Sequence, residues 1–439
     1  MPRETLINPM HFFILCDSLM QPIIVVPFAS EIHGKEYYAN VLEVFRKHFG
    51  RYGIDFHSGI ITSFEEAESL GKKYQEFLPI ALVLTGGTSN LVFRFATSGS
   101  IDKLFIMAHS EHNSLASAIS ARAKLEREGI VAGLYWCEEY YSLDCETAVD
   151  KVMNVARSVA QVVGSKVAIV ADRDKGEVEE TFESRFDATV DIIPLEQFAS
   201  MMNVASGDKV REIVLEIEKS FEFEASKQAL ERVARMFLAF EELVKKGYNA
   251  ISIDCFPFIL KYGITPCIPL SLLNSKGTVA TCEADLQAAL GMMLARALTK
   301  KSGWIGNAVS FKSDRAMLAH CTIALDLLKG KATAMQHFET SAPYAIVGEV
   351  ESNVVTLVSI DRDFSVLFME RGKVVKSGLL TYGACRMQMV IEFDTPIEVV
   401  PRYAPANHHV VLVGDWIEEL RDIAYMLNMD AVMYSELIV

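Results

Sequence analysis

Thr281-Cys282-Glu283-Ala284-Asp285 sets two carboxylates at the head of an apolar run, and much later Asn407-His408-His409 opens a short apolar segment. Carboxylate and imidazole together are ordinary ligands of a hard or borderline divalent cation, and such a site can move a proton between adjacent carbons. Thr281 reads as the N-cap of a helix whose macrodipole favours ionised carboxylates in its first turn. On that helix positions 283 and 285 point about 200° apart, so both cannot enter one pocket. Glu283 shares its stripe with Leu286, Leu290 and Leu294, whereas Asp285 lies over Ala288, Ala289 and Met292. A carboxylate heading an apolar stripe needs a partner, which makes Glu283 the expected ligand or base. The alternative is a pair of solvent-facing carboxylates that only favour the dipole.

Strand alternation from Asn407 to Val413 sends His408 and His409 to opposite faces, so one of them at most is a ligand. Either can instead be a satisfied core or surface histidine. His320-Cys321 follows Met317-Leu318-Ala319 at the end of an expected strand, where open α/β sheets place their sites, and His320 is a further candidate ligand. Cys282 and Cys321 adjoin these candidates and read as small buried hydrophobes. Thr85-Gly86-Gly87-Thr88 follows the run Ile80 to Leu84, and its N–H groups and hydroxyls suit a sugar or an anion. Tight strand-to-helix turns use the same residues for backbone reasons alone. His109 to Ser114 ends another strand, with Asn113 or Ser114 as a cap.

The elements that must position these residues alternate at first between apolar runs and amphipathic stretches, the pattern of a parallel sheet flanked by helices. Strands are expected at Phe12 to Cys16, Ile23 to Pro27, Ile80 to Leu84, Lys103 to Ala108 and Ile130 to Tyr135, with helices at Tyr37 to His48, Phe64 to Phe77 and Ser114 to Arg127. Pro79 marks the stop between a helix and a strand. A second such unit runs through the helix Glu146 to Val163, the strand Lys166 to Ala171, a charged helical stretch from Lys209 to Lys246 and the strand Ala250 to Asp254. No Gly-x-Gly-x-x-Gly follows its strands, so no dinucleotide fingerprint is present. From Tyr344 onward short alternating runs predict an antiparallel sheet or barrel: Ala345 to Val350, Val354 to Ile360, Ser365 to Met369, Lys373 to Ser377, Met387 to Phe393 and Val410 to Val413. A helix from Trp416 to Leu427 and a last strand close the chain. The expected fold is α/β, with two doubly wound parallel-sheet domains (1–155 and 156–335) and a C-terminal antiparallel β-barrel domain (336–439) that carries His408.

A chain of 439 residues is long enough for this division at roughly 150 residues per domain. Its net charge of −15, with no basic stripe, argues against a nucleic-acid or anionic-membrane partner. Asp17, Gln21 and Pro22 interrupt the apolar segment His11 to Phe28, and no cleavage pattern follows, so neither a leader nor a membrane anchor is expected. The eight cysteines are scattered without a Cys-x-x-Cys, which points to reduced thiols in a cytoplasmic protein. A structural zinc on Cys255, Cys267, Cys282 and Cys321 lacks knuckle spacing.

At Cys282-Glu283-Ala284-Asp285, His320-Cys321, His337-Phe338-Glu339 and Asn407-His408-His409 through Gly414, the chain resembles the L-fucose isomerase and L-arabinose isomerase superfamily, and most of all its short, archaeal-type fucose isomerase-like branch. The resemblance runs from about Ala250 to the end, and more faintly through Thr85-Gly86-Gly87-Thr88 and Asn113-Ser114. It implies two α/β domains and a barrel, assembled as a homotrimer or homohexamer with sites between subunits. It also implies aldose–ketose isomerisation of a pentose, deoxyhexose or related small sugar through a cis-enediol, with a divalent metal, Mn²⁺ first. Under it Glu283 is ligand and base, His408 and His320 are ligands, and Thr85, Gly86, Gly87, His337 and Asn407 contact the sugar. Asn307 stands where the family places a catalytic aspartate ligand, and an amide cannot accept the proton at neutral pH. The alternative to the isomerase is therefore a fucose isomerase-like relative that has lost the activity and binds a sugar or related metabolite without turnover.

Overall fold

The structure is a computed structural model that describes residues 21–437. They fall into two compact units, one of Gln21–Ala160 with Glu418–Asn428 and one of Gln161–Ile417 with the residues from Met429 onward. The strand expected at Phe12 to Cys16 lies outside the described residues.

The first unit is a parallel sheet of β1 (Ile23–Phe28), β2 (Asp55–Phe56), β3 (Leu78–Val83), β4 (Lys103–His109) and β5 (Val131–Cys137), in the order β2-β1-β3-β4-β5. β1, β3 and β4 are buried almost throughout, which is why they read as unbroken apolar runs. Ser114–Arg127 is a helix as expected, and Phe64–Lys73 starts at a capping box formed by Ser63 and Glu66. Pro79 is the second residue of β3 rather than a boundary before it, and Ser89–Ser98 adds a helix that the pattern did not suggest. Cys137 and Cys145 are joined in a disulfide, which corrects the expectation of reduced thiols for these two.

In the second unit β6 (Lys166–Val170), β7 (Thr189–Ile193), β9 (Ala250–Ile253) and β10 (Val279–Cys282) form a parallel sheet in the order β10-β9-β6-β7. The charged stretch 209–246 is two helices, Gly207–Ser220 and Leu230–Lys245, separated by the short strand β8 (Phe221–Phe223). β8 pairs with β13 (Ala332–Gln336), which pairs with β14 (Pro343–Val347). The remaining strands are β11 (Trp304–Lys312), β12 (Arg315–His320), β15 (Val354–Ile360), β16 (Val366–Gly378), β17 (Met387–Phe393), β18 (His408–Val413) and β19 (Asp430–Met433). Six of them run β15-β18-β11-β12-β17-β16, and β15–β16 pairing closes the antiparallel barrel; β19 adds parallel to β16. Closure leaves those six strands no free edge. The barrel thus takes in the hairpin β11–β12, ahead of Tyr344 where alternation becomes obvious, and the two runs expected between Ser365 and Ser377 are the single strand β16.

One core joins sheet and barrel, since Ile253 and Cys282 belong to the same buried cluster as Trp304, Leu318 and Val411. The helix Leu286–Thr299 that follows β10 lies directly against β18. A Cβ on its Gly291 would come 2.8 Å from Val410 Cγ2, so the close approach depends on the missing side chain. That contact brings the residues just before the helix to the first residue of β18.

Candidate metal centre

β10 ends at Cys282, and Thr281 is a buried residue of that strand, not a helix cap. The next two residues turn through the left-handed region, Glu283 at φ 62° and Ala284 at φ 52°. For residues with a Cβ this costs about 1 kcal/mol or more each, and the Ala284 N–H donating to Ile253 O at 3.2 Å fastens the turn to β9. The N-cap is Asp285, whose Oδ1 accepts from Ala288 N at 2.8 Å. Glu283 and Asp285 are therefore both off the helix, and the 200° argument that separated them does not apply.

The barrel supplies the imidazoles. His320 is the last residue of β12 and His408 the first of β18; both are buried, with ring centroids 5.5 Å apart. Glu283 faces both, with Oε1 3.6 Å from His320 Nε2 and Oε2 3.5 Å from His408 Nε2. One donor atom from each of Glu283, His320 and His408 lies within 4.8 Å of the others, a group able to hold a metal ion. Asp285 completes the arrangement from behind: His408 Nδ1 donates to its Oδ2 at 2.6 Å. His409 points the other way and meets the Tyr434 hydroxyl at 3.2 Å, as strand alternation requires.

Burial opposes charge on His408, yet the Asp285 and Glu283 carboxylates outweigh it and lift the imidazole to about 10. Burial would likewise raise the Glu283 carboxyl, but the two imidazoles hold it far below the usual range. His320 is pushed down by burial, and so is His337, to about 4. A divalent cation fits this balance, because it replaces the proton on His408 and satisfies both carboxylates. The specific sign of fit is His408 Nε2, a buried nitrogen without a hydrogen-bond partner that is aimed at the cluster. With Nδ1–H committed to Asp285, Nε2 would present its lone pair inward once its proton gives way to a cation, as the outer-sphere carboxylate of a metal histidine arranges.

Glu283, Asn307, His320, His337 and Asn407 line one cavity of about 220 Å³, with Glu339 at the same wall. Glu283, Asn407 and His408 also line an adjoining opening of about 350 Å³, with Arg173, Glu179 and Asp285. Asn307 pairs across strands with His408, and its Oδ1 accepts from Asn407 Nδ2 at 2.6 Å. His337 is buried, its Nδ1 3.1 Å from the Thr340 hydroxyl. Thr85, Gly86 and Gly87 belong to the first unit. There the Thr85 hydroxyl accepts from Ser30 N at 2.8 Å, Gly86 N donates to His112 O at 2.8 Å, and a Cβ on Gly86 would meet Asn113 Cβ at 2.8 Å. Those groups tie the turn to the neighbouring segments at Ser30 and His112. Neither expected cap there caps the helix with its side chain: Asn113 is a left-handed N-cap residue without such a bond, and Ser114, the first helical residue, accepts from His109 N at 3.2 Å and donates to Val83 O. Sequence reasoning set Asp285 aside and did not single out Glu339; a signal for Asp285 was available, since Asp caps helices at least as well as Thr.

Parallel α/β sheets, a closed antiparallel barrel and a carboxylate–imidazole cluster at the strand ends define a mixed α/β protein with a candidate divalent-metal centre. No family model matches the chain. Two proteins named sulfoquinovose isomerase, from Priestia aryabhattai and Priestia megaterium, are each 22% identical to it over 303 residues, covering 64% of this chain and 67% of the relative. This distant homology supports a sugar-isomerase family and does not select a branch within it. Among the described residues no helix is long and apolar enough to cross a membrane.

Proposed function

We propose that the protein is a metal-dependent aldose–ketose isomerase acting on a small sugar. The observation that carries this reading is the convergence of Glu283, His320 and His408, with His408 Nε2 buried and without a hydrogen-bond partner. Those three residues hold the cation, Mn²⁺ by preference, with Asn307 as a weak oxygen ligand or sugar contact. When bound, the cation polarises adjacent sugar oxygens and stabilises negative charge that develops on them. Glu283, kept ionised by its imidazole neighbours, takes the proton from one carbon of the sugar and returns it to the next through an enediol. Asp285 fixes the tautomer and orientation of His408, and His337 and Asn407 bind sugar hydroxyls. Thr85, Gly86 and Gly87 contribute a sugar contact in a homotrimer or homohexamer with sites at subunit interfaces, in the cytoplasm.

A second reading, a sugar-binding relative without turnover, is favoured by one observation: the Asn307 oxygen is engaged by Asn407, and an amide cannot relay a proton. The experiment that separates them starts from protein purified without chelator. Its metal content is measured, and it is assayed on pentoses, deoxyhexoses and sulfoquinovose with and without EDTA. Turnover that EDTA abolishes and Mn²⁺ restores supports the isomerase; bound sugar without turnover supports the second reading.

A further inference from the structure

All five free cysteines among the described residues, Cys255, Cys267, Cys282, Cys321 and Cys385, line the cavity beside Glu283. Strand ends bring them there. Register pairs Cys282 with Ile253, two residues before Cys255, at the carboxyl ends of β10 and β9. It also pairs His320 with Met387, so that Cys321 and Cys385 extend from the same end of β12 and β17. Register and the shared wall thus set Cys255 next to Cys282 and Cys321 next to Cys385. Among the described residues no cysteine joins a group of three ligand atoms, so the lining forms couples of thiols, not a thiolate cage.

The couple Cys321 and Cys385 has the asymmetry of a reactive and a resolving thiol. Cys385 is half-buried on the loop before β17, whereas Cys321 is buried behind it. Cys385 is thus the thiol that a small oxidant entering the cavity meets first, with Cys321 next to it on the same wall.

We propose that Cys385 and Cys321 form a peroxide-reactive dithiol that closes to a disulfide within this cavity. The Cys385 sulfur attacks one oxygen of a hydroperoxide; the O–O bond breaks, the thiol proton leaves with the other oxygen as alcohol or water, and Cys385 becomes a sulfenic acid. The Cys321 sulfur then attacks that sulfur; the S–S bond forms, the S–OH bond breaks, and hydroxide departs with the Cys321 proton as water. Two thiols are oxidised by two electrons and the peroxide is reduced by two. Since His320 immediately precedes Cys321, the cross-link ties the end of β12 to the loop 379–386 and restrains the imidazole that faces Glu283.

The test is peptide mapping of the purified full chain after hydrogen peroxide, quenching, alkylation and digestion without reductant. The expected result is a Cys321–Cys385 cross-linked peptide pair, lighter by two hydrogens than the separate thiols and dissolved by dithiothreitol. In Cys321→Ser, Cys385 should instead be captured by dimedone as the sulfenic acid. Recovery of both cysteines as alkylated thiols, or Cys385 driven to sulfinic acid while Cys321 stays free, would overturn the proposal. Mapping of the unsubstituted protein does not depend on a variant folding, and no outcome depends on sugar turnover.

Discussion

Asp285 joins two structures with one side chain: its Oδ1 holds the first turn of the helix Leu286–Thr299 through Ala288 N, and its Oδ2 holds His408 Nδ1 at 2.6 Å. Asp285→Asn keeps a competent cap but removes the charge facing His408. Affinity for Mn²⁺ should fall about 10- to 100-fold with little change in unfolding free energy, whereas Asp285→Ala should lose the same affinity and about 1 kcal/mol of stability besides. Metal titration and urea denaturation of the two variants separate these effects.

Asn307 faces His408 across the β11–β18 ladder and lines the cavity with Glu283. Asn307→Asp supplies a charged oxygen and a proton acceptor in place of an amide. It should tighten Mn²⁺ binding by about tenfold or more, as ionised ligands outbid neutral ones. If turnover is present it should rise as well; calorimetry with Mn²⁺ checks the first expectation, and an isomerisation assay the second.

Gly291 lets the helix reach β18. In Gly291→Ala the new methyl would stand 2.8 Å from Val410 Cγ2, and the helix or the strand has to move. Overpacking of this kind typically costs about 1–3 kcal/mol. Because Asp285 is carried by the same helix, metal affinity should decline together with stability, which chemical denaturation and Mn²⁺ titration on one preparation can show.

In the first unit His109 is fully buried; its Nε2 donates to Leu84 O at 3.0 Å and its Nδ1 accepts from Glu111 N at 3.3 Å. A proton on Nδ1 would face a donor, and burial holds the imidazole down to about 4. The unfolded chain binds that proton near pH 6.5, so the neutral histidine's contribution is complete above about pH 6.5 and is lost as pH falls toward about 4. The loss should be on the order of 2–3 kcal/mol, and His109→Gln should flatten that part of a stability–pH profile measured by urea unfolding.

The parts of the molecule legible in the sequence are those that local pattern decides. Ser114–Arg127, Val354–Ile360 and Met387–Phe393 have the expected bounds because periodicity and flanking polar residues mark them. Residue type marks Glu283, His320 and His408 one by one, the family resemblance groups them as ligands, and the fold brings them to one point. Asp285 escapes because the sequence starts the helix at Thr281, a β-branched residue that instead lies within the buried strand β10. The left-handed turn at Glu283 and Ala284 that moves the helix start has no glycine to announce it. Trp304 to His320 was not read as barrel because β11 and β12 gain their role from partners about 70 to 100 residues later, β17 and β18. Four of the cavity thiols, Cys255, Cys267, Cys282 and Cys321, come together in the sequence only as a zinc set without knuckle spacing; their meeting with Cys385 on one wall depends on strand register.

The central claim, that Glu283, His320 and His408 hold a divalent cation, is tested most directly by anomalous diffraction from crystals grown with Mn²⁺. A peak about 2.0–2.3 Å from a Glu283 carboxylate oxygen, a His320 nitrogen and His408 Nε2 is the predicted result. Crystals with Mn²⁺ in saturating amount and no peak among these three side chains would contradict it.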